Sequence, residues 1–260
     1  MDAKPLNLWL AYPDDLLSDE VAAACKALLS EDELARAARF KFERNGRESM
    51  ATRALARMAL AREHSLQPEA WRFQLNPHGK PFVDSESAPG CRLTFNVSNS
   101  PGLVVCFVGE DLDVGVDVEP FSRAGQILEV APDVFSPQER AQLEALSGAE
   151  KSDRAVSLWT LKEAYIKARG MGLAIPLDKF SFVFGGAEGV RLEIDESLGD
   201  QAERWKFCLL DHAGHRIAVL AEQSAGNELA VWDTHPLLSS PTRMDGLIAS
   251  WFPKTIEERA

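Results

Sequence analysis

Residues 114–120, with the sequence VGVDVEP, alternate small or β-branched apolar side chains with carboxylates. Side chains two positions apart on a strand point to the same side of the sheet, so the pattern predicts a strand with Asp117 and Glu119 on one face. Two adjacent carboxylates repel each other, and a hard cation such as Mg²⁺ stabilises the arrangement. The alternative interpretation is an edge strand with a solvated acidic face.

The run from residue 151 to 169 contains neither Gly nor Pro, and Gly170 follows it. This pattern predicts a helix that ends at the glycine. Positions spaced three and four apart form one mostly apolar face, which also carries Glu163 and Lys167. Charged groups on an inward face need partners. These two residues therefore form either a solvated ion pair on the helix surface or part of a functional site.

The remaining pattern mixes helices with short strands. Amphipathic spacing and capping residues predict helices, which lie at 18–29, 30–39, 47 to about 64, and from 136 onward. Runs bounded by turn residues predict strands, which lie at 6–12, 71–75, 93–98, 103–108, 180–184, 190–194, 205–210 and 216–221. Residues 121–126 are interpreted as a connecting segment.

Composition and charge restrict the classes of function. The net charge of −12 argues against general nucleic-acid binding. No run of eighteen apolar residues is present, so no membrane span is expected, and the N-terminus lacks the pattern of a signal peptide. The four cysteines form no CxxC pair, which makes zinc sites and a disulfide framework unexpected and favours buried thiols in a reducing cytoplasm.

One segment departs from the acidic character of the chain. Between residues 36 and 62 there are eight Lys and Arg residues but only two acids. A basic patch of this kind suits a compact polyanion, such as a nucleotide with several phosphates, or an acidic protein partner. The alternative is a solvated arginine-rich helix.

The predicted strand at 114–120 and the predicted helix at 151–169 together resemble a known family. GVDVE at residues 115–119, followed after about forty residues by WTLKEAYIK at 159–167, is similar to the paired motifs of Sfp-type 4′-phosphopantetheinyl transferases. Either motif alone would be weak, but both at this spacing rarely arise by chance. The resemblance extends into the N-terminal half of the chain.

This resemblance implies an α+β fold, pseudo-duplicated into two lobes that each pack an antiparallel sheet against helices, with the active site between the lobes. On this basis we expect an N-terminal lobe over 1–122, a C-terminal lobe over 123–235 and a peripheral tail over 236–260. Trp251 and Phe252 are candidates to dock the tail. The family also implies a monomer.

The resemblance also implies roles for the charged residues of both motifs. Asp117, Glu119 and Glu163 would hold Mg²⁺, and Glu163 would take the proton of the acceptor serine, directly or through a water. Lys167 would meet the leaving phosphate. Lys162 would contribute to the same anion-binding field.

Contacts to coenzyme A are implied in the N-terminal half. Arg44, in the sequence FKFER, is expected to hold the 3′-phosphate, because its planar guanidinium can bind two phosphate oxygens at once. Arg53 and Arg57 either join it or support their helix internally. A turn that contains the family's Gly-Lys-Pro motif would pack its backbone against the adenine and place Lys80 near phosphate. Its expected contacts are Asn76, His78, Gly79, Lys80 and Pro81.

The sequence FNVSN at residues 95–99 differs from the family pattern at one position. The expected contacts to the pyrophosphate are Asn96, Ser98 and Asn99, but the family places a histidine where this chain has Asn99. An amide can donate a hydrogen bond to phosphate and can never carry a proton charge. An imidazolium is therefore excluded at this position.

The implied reaction is attack by a serine hydroxyl of an apo acyl or peptidyl carrier protein on the β-phosphate of coenzyme A, with release of adenosine 3′,5′-bisphosphate. The alternative is a non-catalytic protein on the same fold that binds coenzyme A or a carrier. Asn99 favours this alternative, whereas the intact acids and Lys167 argue against it. An ATP-dependent phosphotransferase is disfavoured, because no GxxxxGK[ST] loop is present. Residues 121–137 are expected to select the carrier, but no pattern there distinguishes fatty-acid, polyketide or peptide pathways.

Overall fold

The computed structural model describes residues 6–185, 189–223 and 228–245, together with Trp251. The α-helices in these ranges are α1 (Asp19–Leu28), α2 (Glu31–Ala38), α3 (Glu43–Glu63), α4 (Ala124–Val134), α5 (Pro137–Glu144) and α6 (Gly148–Arg169). The strands are β1 (Leu6–Ala11), β2 (Phe73–Leu75), β3 (Pro81–Val83), β4 (Leu93–Ser100), β5 (Leu103–Glu110), β6 (Val114–Pro120), β7 (Phe180–Phe184), β8 (Val190–Ile194), β9 (Trp205–His212), β10 (His215–Glu222), β11 (Leu229–Asp233) and β12 (Thr242–Arg243).

The strands form two main sheets and two hairpins. The larger sheet has the order β12-β11-β1-β5-β4 and the smaller one β6-β10-β9, while β2-β3 and β7-β8 pair separately. Every pairing is antiparallel except that of β1 with β11. The predicted α+β class with antiparallel sheets and helices is confirmed. None of the helices in the described ranges is long and apolar enough to cross a membrane.

Strand pairing crosses the predicted lobe boundary at residue 122 in both directions. Strand β6, from the N-terminal side, pairs along its whole length with β10. Strand β11, from the C-terminal side, pairs with β1. The sheets are therefore not confined to the two predicted sequence ranges. The segment expected to connect the lobes also contains the start of α4, at Ala124, rather than an irregular linker.

The described part of the predicted tail is not wholly peripheral. Leu237 is buried in the core beside α1 and α3, and β12 adds a short edge strand to β11. Trp251 is partly buried, with the Lys206 ammonium 4.8 Å from its ring centroid. Phe252, the other candidate to dock the tail, lies outside the described residues.

Strand β6 lies between the two halves of the core. Val114, Val116 and Val118 are buried in a cluster formed by β1, β5, β6, β9, β10 and β11. Because side chains alternate along a strand, Asp117 and Glu119 point to the opposite face, against which α6 packs. The predicted strand and helix are both present, and α6 ends at Gly170, which has a left-handed backbone conformation. This pairing of one strand with one helix positions the candidate site.

Candidate active site

The absence of a side chain at Gly115 allows α6 to lie directly on β6. A Cβ atom there would overlap the carbonyl oxygen of Ala164 and lie 2.5 Å from the nitrogen of Ala168. Glycine in a strand interior often marks such a close approach. The contact brings one turn of α6, with Glu163 and Lys167, opposite the acidic face of the strand.

Asp117 is fixed by two donors on one of its carboxylate oxygens. Its Oδ1 accepts hydrogen bonds from Lys167 Nζ at 2.6 Å and from Ser98 Oγ at 2.8 Å. The Lys167 ammonium also donates to Ser98 Oγ at 2.9 Å. Asp117 is only 4% exposed, and its Oδ2 is buried without a partner among the described residues. One oxygen of this carboxylate is therefore held and the other is unsatisfied.

Glu119 has its own cation. Its Oε1 accepts hydrogen bonds from the Arg123 guanidinium and, at 3.1 Å, from Trp159 Nε1. Burial raises the pKa of Glu119, the charge on Asp117 raises it further, and Arg123 opposes both effects. The two acids of β6 are thus each paired with a different cation.

Glu163 is the acid without a counter-ion of its own. Its carboxylate forms no hydrogen bond or ion pair with any residue in the described ranges. Burial raises the pKa of Glu163, and Asp117 and Glu119 add to the shift while Lys167 opposes it. A carboxylate in this state attracts either a proton or a cation.

The donor set fits a divalent cation, although no group of three His, Cys, Asp or Glu side chains within the described ranges is arranged as a preformed metal site. Asp117 Oδ2 lacks a partner, and Glu163 lacks a counter-ion. The mutual repulsion of three carboxylates would be relieved by a hard cation, and carboxylate oxygens are the ligands that Mg²⁺ prefers. The observation that carries this fit is the orphaned, buried oxygen of Asp117.

A cleft of about 290 Å³ opens beside these acids. It is lined by Glu163 and Lys167 of α6, by Asn96 of β4 and by the turn between β2 and β3. The remaining lining residues are His78, Gly79, Lys80, Pro81, Val97, Ile166, Gly170 and Gly172. The cleft therefore joins strand β4, the helix and the turn that the sequence singled out, and it lies beside the acidic strand through Glu163 and Lys167.

A second cavity, of about 470 Å³, lies on the basic segment and is lined by four arginines: Arg36, Arg53, Arg57 and Arg72. Arg57 is 1% exposed and is used internally, since it donates to Glu33 at 2.7 Å and to the carbonyl of Trp71 at 2.6 Å. Arg36 and Arg53 form no side-chain hydrogen bond or ion pair with the described residues. Burial lowers the pKa of Arg53, the charge on Glu33 opposes this shift, and the charges on Arg36 and Arg57 add to it. We call this cavity the arginine pocket.

Sequence comparisons identify the family. A family model described as "4'-phosphopantetheinyl transferase superfamily" matches residues 113–220, and one described as "4'-phosphopantetheinyl transferase, N-terminal" matches residues 17–110. The chain is 30% identical over 230 residues to the 4'-phosphopantetheinyl transferase HetI of Nostoc sp. The alignment covers 87% of this chain and 91% of that protein. The chain belongs to the 4′-phosphopantetheinyl transferase superfamily. The predicted Sfp-type family and its transferase class are confirmed.

Two further relatives of the transferase come from Bacillus subtilis and Xenopus laevis. The 4'-phosphopantetheinyl transferase Sfp of Bacillus subtilis is 28% identical over 192 residues, covering 74% of this chain and 83% of its own. The L-aminoadipate-semialdehyde dehydrogenase-phosphopantetheinyl transferase of Xenopus laevis is 27% identical over 215 residues, covering 76% and 70%. Both matches extend over most of the two chains.

The turn at the cleft of the transferase is held by residues that were expected to contact coenzyme A. Asn76 donates through Nδ2 to the carbonyl of Gly170 at 2.7 Å, and its Oδ1 accepts from the backbone of His78 and Lys80. The Lys80 ammonium donates to the carbonyls of Val114 at 3.1 Å and Ala168 at 2.9 Å. Asn76 therefore serves to fasten the turn to the end of α6, and Lys80 retains one N–H.

Asn96 also has a structural contact. Its Oδ1 accepts a hydrogen bond from the backbone nitrogen of Val116 at 2.9 Å, which joins β4 to the middle of β6. Asn99 is exposed on the edge strand β4 and does not line the cleft. The role of Asn99 in binding phosphate stays a prediction.

The expectation that Lys162 contributes to the anion-binding field is wrong. It is buried on another side of α6, where its ammonium donates to Glu139 Oε2 at 2.8 Å and to the carbonyls of Leu177 and Phe180 at 2.7 and 2.8 Å. All three of its donors are used, so none is free for a phosphate. Lys162 ties α6 to α5 and β7.

Arg44, the predicted ligand of the 3′-phosphate, lies at the start of α3, and its role in binding phosphate stays a prediction. It is exposed in the first turn of α3, with its guanidinium 5.7 Å from the ring centroid of Phe42, and it lines neither the cleft nor the arginine pocket. Arg53, for which two roles were left open, faces the pocket together with Arg36. In the sequence, only the position of Arg36 within the basic segment indicated that it could belong to an anion-binding site.

The raised pKa of Glu163 leads to a prediction for stability. A carboxyl whose pKa is higher in the folded than in the unfolded state lowers stability once the pH exceeds its unfolded pKa, about 4.3 for Glu. In metal-free buffer, Glu163→Gln should therefore be more stable than the wild type at neutral pH, and the difference should vanish as the pH falls below that value. Urea unfolding of both proteins across this pH range measures the difference in their free energies of unfolding. A variant less stable than the wild type at neutral pH would contradict the assignment.

Proposed function

We propose that this transferase moves the 4′-phosphopantetheine arm of coenzyme A to a serine hydroxyl of an apo acyl or peptidyl carrier protein and releases adenosine 3′,5′-bisphosphate. The observation that carries the proposal is the Glu163 carboxylate, which faces a cleft without a counter-ion of its own, one helical turn from Lys167. Phosphoryl transfer needs positioning, charge stabilisation and a proton acceptor rather than covalent work by the protein. These residues supply all three.

Glu163 serves as the proton acceptor. Because its pKa is raised by burial and by the neighbouring acids, its carboxylate is a stronger base than an exposed glutamate. It lines the cleft, so the serine hydroxyl of a carrier can reach it directly or through a water. As the proton moves to Glu163, the serine oxygen attacks the β-phosphorus and the bond to the bisphosphate oxygen breaks.

Lys167 and Lys80, which both line the cleft, serve as phosphate ligands. Each ammonium has three donors, of which two are used within the protein. The remaining N–H of each lysine is available to an oxygen of the pyrophosphate. Ser98 and Asp117 hold the Lys167 ammonium in place, so the side chain loses little conformational entropy when the substrate binds.

Asp117, Glu119 and Glu163 would hold Mg²⁺, which would neutralise charge on the pyrophosphate and on the leaving phosphate. The spare oxygen of Asp117 and the unpaired Glu163 support this assignment. The free state of all four cysteines supports a reducing cytoplasm as the site of action. We expect the protein to act as a monomer.

The arginine pocket is the anchor we assign to the 3′-phosphate of coenzyme A. The pocket and the cleft lie along the same β2–β3 hairpin, since Phe73 and Leu75 line the pocket while Lys80 and Pro81 line the cleft. Arg36 and Arg53 form no side-chain hydrogen bond or ion pair within the described residues and so can bind phosphate, although the acids Asp32, Glu33 and Asp84 also line the pocket. We propose this anchor beside the predicted one at Arg44.

A variant of the pocket tests the anchor. Arg53→Ala should raise KM for coenzyme A about tenfold, because a charge-assisted hydrogen bond contributes about 1.5–3 kcal/mol. KM for 3′-dephospho-coenzyme A should already be high in the wild type and should not change in the variant. Arg62→Ala, an exposed position on the same helix, is the control of equal charge. An equal rise in KM for both donors would reject the anchor.

The function itself is tested by incubating the protein with coenzyme A, Mg²⁺ and a panel of apo-carriers, followed by intact-mass measurement of each carrier. A mass gain of one phosphopantetheine on at least one carrier is expected. Tight binding of coenzyme A without a mass gain on any carrier would instead favour the non-catalytic alternative. The panel also identifies the pathway.

A further inference from the structure

Arg123 occupies a position that the proposed reaction does not use. It follows Glu119 by four residues, after β6 ends at Pro120, and its guanidinium forms an ion pair with Glu119 Oε1. The side chain of Glu119 is 9% exposed and that of Arg123 is 36% exposed. The acid is therefore fixed in the interior, while its cation borders solvent.

Trp159 holds both partners. Its indole N–H donates to the same Oε1 of Glu119, and the Arg123 guanidinium lies 5.3 Å from its ring centroid. If Arg123 leaves the carboxylate, Glu119 keeps the indole donor, and the guanidinium keeps an aromatic surface to rest on. The cluster of three residues can thus lose its ion pair without losing its shape.

The charges at the site make Arg123 and Lys167 unequal. Lys167 contacts one oxygen of Asp117 and leaves Oδ2 unsatisfied, so that acid can accept a metal while it keeps its lysine. Glu119 Oε2 likewise accepts no hydrogen bond from the described residues, but Arg123 hydrogen-bonds to Glu119 alone within those ranges, whereas Lys167 is also held by Ser98. A guanidinium on Glu119 also repels any divalent ion placed between the three acids.

We propose that Arg123 is an internal counter-ion that competes with the divalent metal for Glu119 and thereby sets the metal affinity of the site. The inference rests on the proposed function, because it assumes that Asp117, Glu119 and Glu163 hold the metal. In the metal-free protein Arg123 relieves the repulsion between Glu119 and Asp117. When a cation takes that role, the guanidinium moves toward the Trp159 ring and solvent. Arg123 is a positioning residue and touches no reacting atom.

The test measures metal binding without turnover. Mn²⁺, which suits the same carboxylate ligands as Mg²⁺, is titrated into the protein alone, and free Mn²⁺ is followed by electron paramagnetic resonance. We expect Arg123→Gln to bind Mn²⁺ about tenfold more tightly than the wild type, since it removes a like charge next to the ion. In metal-free buffer the same variant should unfold at a lower temperature, because Glu119 loses its cation.

Two further variants separate the outcomes. Arg191→Gln removes an exposed arginine, paired with Glu193 on β8, and should leave Mn²⁺ affinity unchanged. Arg123→Lys keeps the charge but loses the planar guanidinium, so it should show a smaller increase in affinity. If Arg123→Gln fails to fold, Arg123→Lys decides the matter.

Folded Arg123 variants with unchanged or weaker Mn²⁺ binding would overturn the role of Arg123. Asp117→Asn distinguishes this outcome from failure of the proposed function. If Asp117→Asn removes Mn²⁺ binding while the Arg123 variants behave like the wild type, the metal site stands and only the competition is rejected. If Asp117→Asn binds Mn²⁺ as the wild type does, the acids do not form the metal site and both proposals fail.

Discussion

Glu163→Gln is expected to lower the rate of phosphopantetheine transfer by at least about 10³-fold, since a positioned general base alone contributes about 10²–10⁴-fold. Glutamine keeps the shape of the side chain, but its amide neither accepts the serine proton nor carries charge for a metal. The rate is measured from the mass gain of an apo-carrier at saturating coenzyme A and Mg²⁺. Circular dichroism checks that the variant is folded.

A matched control lies on the same helix. Glu150→Gln makes the same chemical change at an exposed position in the first turn of α6, and it should transfer at the wild-type rate. A Glu163→Gln rate within tenfold of the wild type would refute the assigned role. Recovery of the rate at high Mg²⁺ would show that Glu163 acts as a metal ligand and not as the base.

Gly115→Ala is expected to lower the free energy of unfolding by about 3 kcal/mol, the upper end of the typical range for overpacked cores. The added methyl group would meet the backbone of α6 at Ala164 and Ala168, and backbone cannot turn aside as a flexible side chain can. Any helix movement that relieves the clash also displaces Glu163 and Lys167 from Asp117. Urea unfolding measures the stability, and the transfer assay measures the remaining activity.

Gly125→Ala is the control for this substitution. Gly125 lies in α4, where an added Cβ meets nothing within 4 Å, so alanine should stabilise the helix by about 0.5–1 kcal/mol. If Gly115→Ala were as stable as the wild type, β6 and α6 could move apart without lowering the free energy of unfolding. That result would undermine the claim that their close approach builds the site.

The true position of Lys162 could have been predicted from simple helical geometry. Lys162 precedes Glu163 by one residue, and successive residues of an α-helix are rotated by about 100°. A helix that presents Glu163 and Lys167 to the cleft therefore directs Lys162 elsewhere, and the observed partner is Glu139 of α5. The close approach at Gly115 also had a signal, since glycine inside a predicted strand marks a place where another backbone comes near.

Other assignments had no signal in the chain. Arg53 and Arg57 are one helical turn apart on α3, so periodicity treats them alike. The carbonyls of Pro68 and Trp71 meet Arg57, which becomes a buried support, while Arg53 is left facing the arginine pocket. The loop that supplies those carbonyls is placed by tertiary packing.

The sequence alone was sufficient for the α+β class, for β6 and α6 as elements, and for the family, because alternation and helical spacing are local properties of the chain. It also placed the three acids on two elements that face each other in the structure. Tertiary structure decided which cation each acid receives. Lys167 pairs with Asp117 and Arg123 with Glu119, while no cation in the part of the chain that the structure describes forms an ion pair with Glu163. Charge pairing depends on distances of a few ångströms between elements far apart in the chain, and no pattern along the sequence encodes those distances.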